Sequence, residues 1–401
     1  MSQLIKYEFR KIWTKLTIVS VIFLVVVSTI LNFIAFFNSE IGITSDGRQV
    51  KGIKSFRAIK NQSKDIEGEI NQKYLDNLVK EFNSSKEKQD FSERMKYELT
   101  KYKFSNLIIN YANSGIKTYS NMLDLDFKFL ESEEEFYNNY KKSLSEHIKF
   151  DNQKNWFKYT ENQMDEINQK IDKLDTPFRV DYYQGLEYFT WQYGSQYLFV
   201  VMVIGFALSS LFSKDSNNGI DELTLSSKFG RKKNMNIRII AGNIFALLVY
   251  TMFIVTLLIE IGTVASFNGW NQSIQNFLHT CLYNISAGDG LLIIILQGLI
   301  VILIIANLVM LISIKFKYSK LSTIISLASI LLIERLTYTS NTFQLQLNPF
   351  YYAKSNIGFT TYYFIGDIMI PYAVAFIGVA AVYMLIIRFL TVRQYKKYKL
   401  N

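Results

Sequence analysis

Along the chain, apolar positions gather in runs of 13 to 24 residues that are almost empty of charge. A soluble core would instead give the alternation of a strand or the stripe of an amphipathic helix. The runs are Leu16 to Phe37, Tyr197 to Phe212, Ile239 to Ile259, Leu291 to Ile314, Leu321 to Ile333 and Ile368 to Ile387. A hydrocarbon core about 30 Å thick takes roughly 20 apolar residues of helix, so the pattern predicts six membrane spans. The first run is too long for a signal-peptide core, and no small-residue cleavage site follows it, so it reads as an uncleaved span. The fifth, at 13 residues, is short.

Between the first two runs lies a long polar stretch, residues 38–192. Its apolar spacing is mostly helical: Ile70, Tyr74, Leu78 and Phe82; then Phe91, Met95, Leu99 and Tyr102; then Met164, Ile167, Ile171 and Leu174. Residues 123–129 alternate and suit one short strand. About 150 residues can bury a core of their own, so the stretch reads as a mainly helical domain; a spacer without a binding role fits the same pattern. Tyr182, Tyr183, Tyr188, Phe189, Trp191 and Tyr193 precede the second span, where rings sit well at headgroup level. Trp270, Phe277, Leu278 and Leu282 suit the same interface.

Charge then orients the spans. Lys and Arg number 44 against 34 Asp and Glu, a formal +10. The ends and the connections after spans two and four hold 18 basic residues; the short connections opposite hold only Arg335 and Lys354. Such an asymmetry places both termini in the cytoplasm and the 38–192 domain outside. That domain carries 24 basic and 26 acidic residues, so the excess charge lies at the inner face and is no nucleic-acid footprint. The expected fold is an all-α polytopic membrane protein: residues 1–15 an amphipathic helix, 16–37 span one, 38–192 the extracytoplasmic domain, and 193–401 spans two to six.

Catalytic and metal motifs are missing. Cys281 is the single cysteine, and His147 and His279 are too far apart for a metalloprotease helix motif. From Gly42, the sequence GITSDGRQ has the glycine spacing of a phosphate loop, but Arg48 and Gln49 replace its Lys and Ser/Thr. No cofactor site is therefore expected on this chain. Polar groups within spans are costly, about 2.5–3.5 kcal/mol for an acid at a helix centre, and are functional candidates by default. Here they are Asn32, Glu260, Gln297, Asn307, Glu334 and Arg335. Glu260 and the Glu334–Arg335 step fall at outer span ends, where capping or pairing is expected; Gln297 and Asn307 are expected to hydrogen-bond between helices.

The connection 213–238 carries the most information. Its stretch NNGIDELTLSSKFGRKK opens with Gly219 ending one helix; Ile220, Leu223 and Thr224 share a face, with Asp221 and Glu222 opposite. Ser226, Ser227 and Gly230 permit a turn before Arg231, Lys232 and Lys233. A short amphipathic helix here suits docking of a soluble partner; a solvated connection fits equally well.

On Asp215, Gly219, Ile220, Leu223, Leu225, Ser226, Gly230 and Arg231, the loop resembles that of ABC-2 class permeases of ATP-binding-cassette transporters. Asp215 stands where Glu is commoner in that family, and Ile220 where Thr is. The order of parts is similar too: an N-terminal basic helix (Leu4 to Trp13), six spans, and a short fifth span followed by Asn348-Pro349-Phe350-Tyr351-Tyr352. The large outer domain is similar to the Gram-positive branch that handles peptides, antibiotics or lipids. The resemblance implies a plasma-membrane export, resistance or self-immunity subunit that hydrolyses no ATP itself. It would pair with a second permease, amid membrane lipid, and with a cytoplasmic ATPase dimer that binds ATP and Mg. The docking residues would include Asp221 and Glu222. Rival readings are a membrane sensor whose outer domain binds a ligand, and a sodium- or ion-exporting permease.

Overall fold

The first helix, α1 (Ser2–Ile12), stops at Trp13 because Thr14 turns extended and caps the next, its hydroxyl accepting the Thr17 N–H at 3.2 Å. The chain is described here by a computed structural model covering residues 2–38, 42–44, 48–64, 67–77, 80, 132–153, 159–217, 232–276, 278, 280–338, 347–354, 359 and 362–397. It is mostly helical with little sheet. Five helices are long and apolar enough to cross a membrane: α2 (Lys15–Phe37), then further along the chain α6 (Gln184–Leu208), α8 (Lys232–Val264), α9 (Ala287–Lys315) and α12 (Tyr372–Lys396).

The fifth expected span lies within α10 (Ser319–Arg335), 17 residues long. At 1.5 Å per residue it reaches about 25 Å, short of the hydrocarbon core. A second piece continues it. In α11 (Pro349–Lys354) Pro takes the first helical position, and Asn348 caps the start: its Oδ1 accepts the Phe350 N–H at 2.9 Å. The same side chain donates to the Ile333 carbonyl at 2.8 Å, tying the end of α10 to the start of α11. Phe350, Tyr352 and Ala353 are fully buried, so α11 is enclosed by the rest of the bundle.

Helix α9 is central, packing against α6, α8, α10, α11 and α12. It meets the rings of α6 and α8 tightly at Gly298, where a Cβ would lie 1.7 Å from the Tyr193 hydroxyl and 2.6 Å from that of Tyr250. The two hydroxyls bond each other at 3.1 Å; Tyr250 also donates to the Ile295 carbonyl and Tyr197 to that of Gly298.

Outside the bundle, small antiparallel pairs join β1 (Gly42–Ile43) to β2 (Gln49–Val50) and β3 (Gly68–Glu69) to β4 (Arg179–Val180). Three helices accompany them: α3 (Ile53–Ser63), α4 (Glu133–Gln153) and α5 (Glu161–Asp172). In α4, Phe136, Tyr140, Leu144 and Ile148 recur every fourth residue and are buried against Met164, Ile167 and Ile171 of α5, a core separate from that of the bundle. The Tyr137 hydroxyl donates to the Ile70 carbonyl and accepts the Phe178 N–H, and burial pushes its pKa up. This module rests on the connection after α8, through Arg179 to Ser273 and Asp181 to Gln272. It also meets the hairpin β5 (Tyr363–Ile365) and β6 (Ile368–Ile370) before α12, through Gln163 to Gly366 and Asn162 to Asp367. The segments after α2, after α8 and before α12 therefore share one face.

Three expectations change. Helix α6 starts at Gln184, 13 residues before the expected Tyr197, because its opening residues pack inward: Phe189 and Tyr193 are buried and only Trp191 lies well exposed. The ring cluster before span two is thus mostly core, not an interfacial belt. Residues 368–370 form strand β6, since Gly366 (φ 61°) turns a hairpin and Pro371 precedes the helix, which runs on to Lys396. The expected stripe 91–102 and strand 123–129 lie outside the described residues.

Gly298→Ala should lower stability by about 1–3 kcal/mol, because the buried Tyr193 ring cannot retreat. Thermal unfolding would show this, with Tyr193→Phe recovering part of the loss; an unchanged melting temperature for Gly298→Ala would contradict the packing.

Candidate functional site

Helix α6 ends at Leu208, and the chain must turn before the loop that follows. Ser313 of α9 enables it: its Oγ accepts the Phe212 and Ser213 N–H groups at 3.0 and 3.2 Å, while Ser322 donates to the Ser209 carbonyl at 2.6 Å. The chain restarts as α7 (Ser213–Asn217), which delivers Asp215 to the base of α8. There Arg238 pairs directly with Asp215, and its Nε lies 3.5 Å from Glu8 of α1. Lys11 closes the group, 3.2 Å from Glu8 and 3.5 Å from Asp215. Phe212 lies under the guanidinium at 5.4 Å, and Trp13 contacts Phe245 edge-on at 5.2 Å, seating α1 on α8.

Two carboxylates and two cations leave this cluster neutral. Glu8, Asp215 and Arg238 are at most 7 % exposed. Burying such charges carries a desolvation cost that only mutual pairing offsets, so removing one member costs far more than the set contributes. Asp215 and Arg238 flank residues 218–231, so the cluster holds both ends of that loop to each other and to α1. Asp215 was expected on a docking surface; it is instead a buried anchor of the ionic cluster. Gly219, Ile220, Asp221, Glu222, Leu223, Leu225, Ser226, Gly230 and Arg231 lie outside the described residues.

A second polar group joins three helices toward the far end of α8. Glu260 of α8 accepts hydrogen bonds from Thr29 and Asn32 of α2, both at 2.5 Å. Asn32 in turn accepts from Gln196 of α6 at 2.7 Å, and Gln196 bonds Ser28 and Gln192. Asn32 and Glu260, read separately in the sequence, thus meet in one ladder. Among the described residues no basic side chain pairs with Glu260. Asn307 bonds Asn243 between α9 and α8 at 2.9 Å, as an interhelical amide was expected to do. Gln297 is buried in α9 beside the Tyr372 hydroxyl of α12, with which it interacts across the two helices. Glu334 and Arg335 close α10.

Glu8, Arg238, Gln192 and Gln196 escaped the sequence reading. Glu8 is an acid in an otherwise basic helix, and Gln192 and Gln196 are four apart on one helix face, so both signals were present. Arg238 was visible only as orientation charge. Among the described residues no three His, Cys, Asp or Glu side chains converge as metal ligands. Comparison with protein-family models, curated proteins and solved structures finds no match to this chain.

Arg238→Met should destabilise by about 3–5 kcal/mol, measured by thermal unfolding in detergent, and adding Glu8→Gln with Asp215→Asn should restore much of it. An Arg238→Met variant as stable as the parent would remove the cluster from the account. Cys281 offers a second check. It is buried in the connection between α8 and α9, and burial pushes its thiol up to about 12, partly opposed by a backbone bond from Tyr283. At pH 8 the thiol stays protonated and enclosed, so maleimide should label it only after unfolding; rapid labelling of native protein would contradict the packing there.

Proposed function

We propose that this chain is the transmembrane permease subunit of an ATP-binding-cassette exporter, resident in the plasma membrane and driven by a separate cytoplasmic ATPase dimer. Its termini and the 218–231 loop face the cytoplasm, and the module of α3 to α5 lies outside. The broken pair α10 and α11 serves as a sixth crossing. That topology agrees with the basic inner connections and with the outer module resting on segments that share one face.

The observation that carries this reading is the buried cluster of Glu8, Asp215 and Arg238, which clamps the N-terminal helix to both ends of the loop. Held this way, the two segments that flank the loop form one body with α1. Closure of an ATPase dimer against it is then passed to the helices that enclose the export path, biasing the bundle between two arrangements. This chain supplies no bond-breaking chemistry; ATP and Mg belong to the partner. The cargo is an amphipathic peptide, antimicrobial or lipid-like compound moved outward, for export, resistance or self-immunity, through a pair of permeases.

Affinity-tagged protein should co-purify with a soluble ATPase carrying a phosphate loop and stimulate or restrain its ATP hydrolysis. Leu223→Arg or Asp221→Lys should weaken that capture at least about tenfold while leaving the permease folded. Undiminished capture and hydrolysis with both variants would refute the docking assignment; a well-behaved protein that holds no ATPase would favour the sensor reading.

A further inference from the structure

Helix α12 touches the rest of the bundle along one seam. Its buried residues are Tyr372, Phe376, Ala380, Ile387, Thr391 and Tyr395, while Val374, Ile377, Leu385 and Phe389 lie well exposed. Steps of four, four, seven, four and four residues make one stripe of a helix that no proline interrupts. Tyr372 and Tyr395 therefore stand about 35 Å apart at the two ends of that seam.

At one end, Pro371 alone separates α12 from the β5–β6 hairpin. Strand alternation gives the hairpin two faces. The cross-strand pair Tyr363 and Ile370 packs into the bundle core, where the Tyr363 ring stacks on Tyr352 and Tyr372. The next pair, Phe364 and Met369, packs into the core of the α4–α5 module, where Phe364 meets Tyr159 edge-on at 5.7 Å. The Tyr362 N–H donates to the Tyr159 hydroxyl at 3.1 Å.

The other end reaches the ionic cluster. The Tyr395 ring lies edge-on to Phe212 at 6.0 Å, and Phe212 underlies the Arg238 guanidinium. The Tyr395 hydroxyl meets the Asn234 side chain of α8, within the field of Arg238, Asp215 and Glu8. Two turns earlier Arg388 donates to Asn236 at 2.7 Å, a second tie to the base of α8.

We propose that α12 and its hairpin form a rod that ties the ionic cluster to the module at the opposite end, so that a shift of the helix bases also moves the module. Tyr395 is the positioning residue at one end; Phe364 and Met369 are the grip at the other. A helix held along a single seam can slide by shear while keeping its contacts. The proposal rests on the permease reading: closure of the ATPase against the loop would then set the position of the module as well as that of the bundle.

Amide hydrogen exchange on the full-length protein in detergent micelles, read by mass spectrometry, tests the rod without any ATPase. Tyr395→Ala should raise exchange at least about fivefold in residues 363–370 and in α5, about 35 Å away, while α9 keeps the parent's rate. Tyr395→Phe, which keeps the ring on Phe212, should stay close to the parent. Leu385→Ala, an exposed change on the same helix, should alter neither segment. A rise confined to the surroundings of Tyr395, an equal rise in α9, or the same rise with Leu385→Ala would each overturn the rod. ATPase capture by the parent protein separates the two claims: no capture with the expected exchange pattern sinks the permease reading alone, and capture with an unresponsive hairpin sinks the rod alone.

Discussion

The arrangement of the helix bases depends on one buried guanidinium. Arg238 stands where α1, α7 and α8 converge, and without it the buried Glu8 and Asp215 would share only Lys11, the more exposed of the two cations. Its pairing fixes the N-terminal helix against the membrane-spanning bundle and brings the ends of the 218–231 loop together. Because ion pairing is strict about geometry while apolar packing is tolerant, this cluster gives its end of the bundle a defined arrangement. The turn made by Ser209 to Phe212, held by Ser313 and Ser322, is the local condition that lets Asp215 arrive there.

Higher in the bundle the same logic operates with neutral groups. The Tyr193, Tyr197 and Tyr250 hydroxyls settle against α9 only because Gly298 leaves room. The ladder from Gln192 to Glu260 then ties α2 to α6 and α8. Polar contacts thus sit at separate levels along the bundle, an ionic cluster at one end, then a tyrosine layer and an amide ladder, each connecting helices whose remaining contacts are apolar. Hydrogen bonds between such helices are individually modest, and they specify which faces meet.

Long apolar runs were legible in the sequence because span length is dictated by hydrocarbon thickness, and α2, α8 and α9 lie close to where the runs place them. The helix α5 was legible as well, from Met164, Ile167 and Ile171. What escaped were features set by long-range packing. Tyr188 to Tyr193 read as interfacial rings because composition alone cannot tell a ring facing lipid from one facing a neighbouring helix. Residues 368–370 read as helix because Ile-Met-Ile is apolar, while a glycine turn and Pro371 make it a strand. Asp215 was picked out, but as a surface residue; its burial depends on Arg238 and Glu8, which lie 23 residues after and more than 200 before it. No local pattern links them.

The central claim is that the clamped loop is the contact through which a cytoplasmic ATPase acts on the bundle. A photoreactive amino acid at Leu223, activated in intact cells, tests it most directly. The account predicts a covalent adduct with a soluble phosphate-loop ATPase whose yield changes between ATP-bound and nucleotide-free conditions and falls when Arg238 is replaced. An adduct with no ATPase, or one whose yield ignores both nucleotide and Arg238, would contradict it.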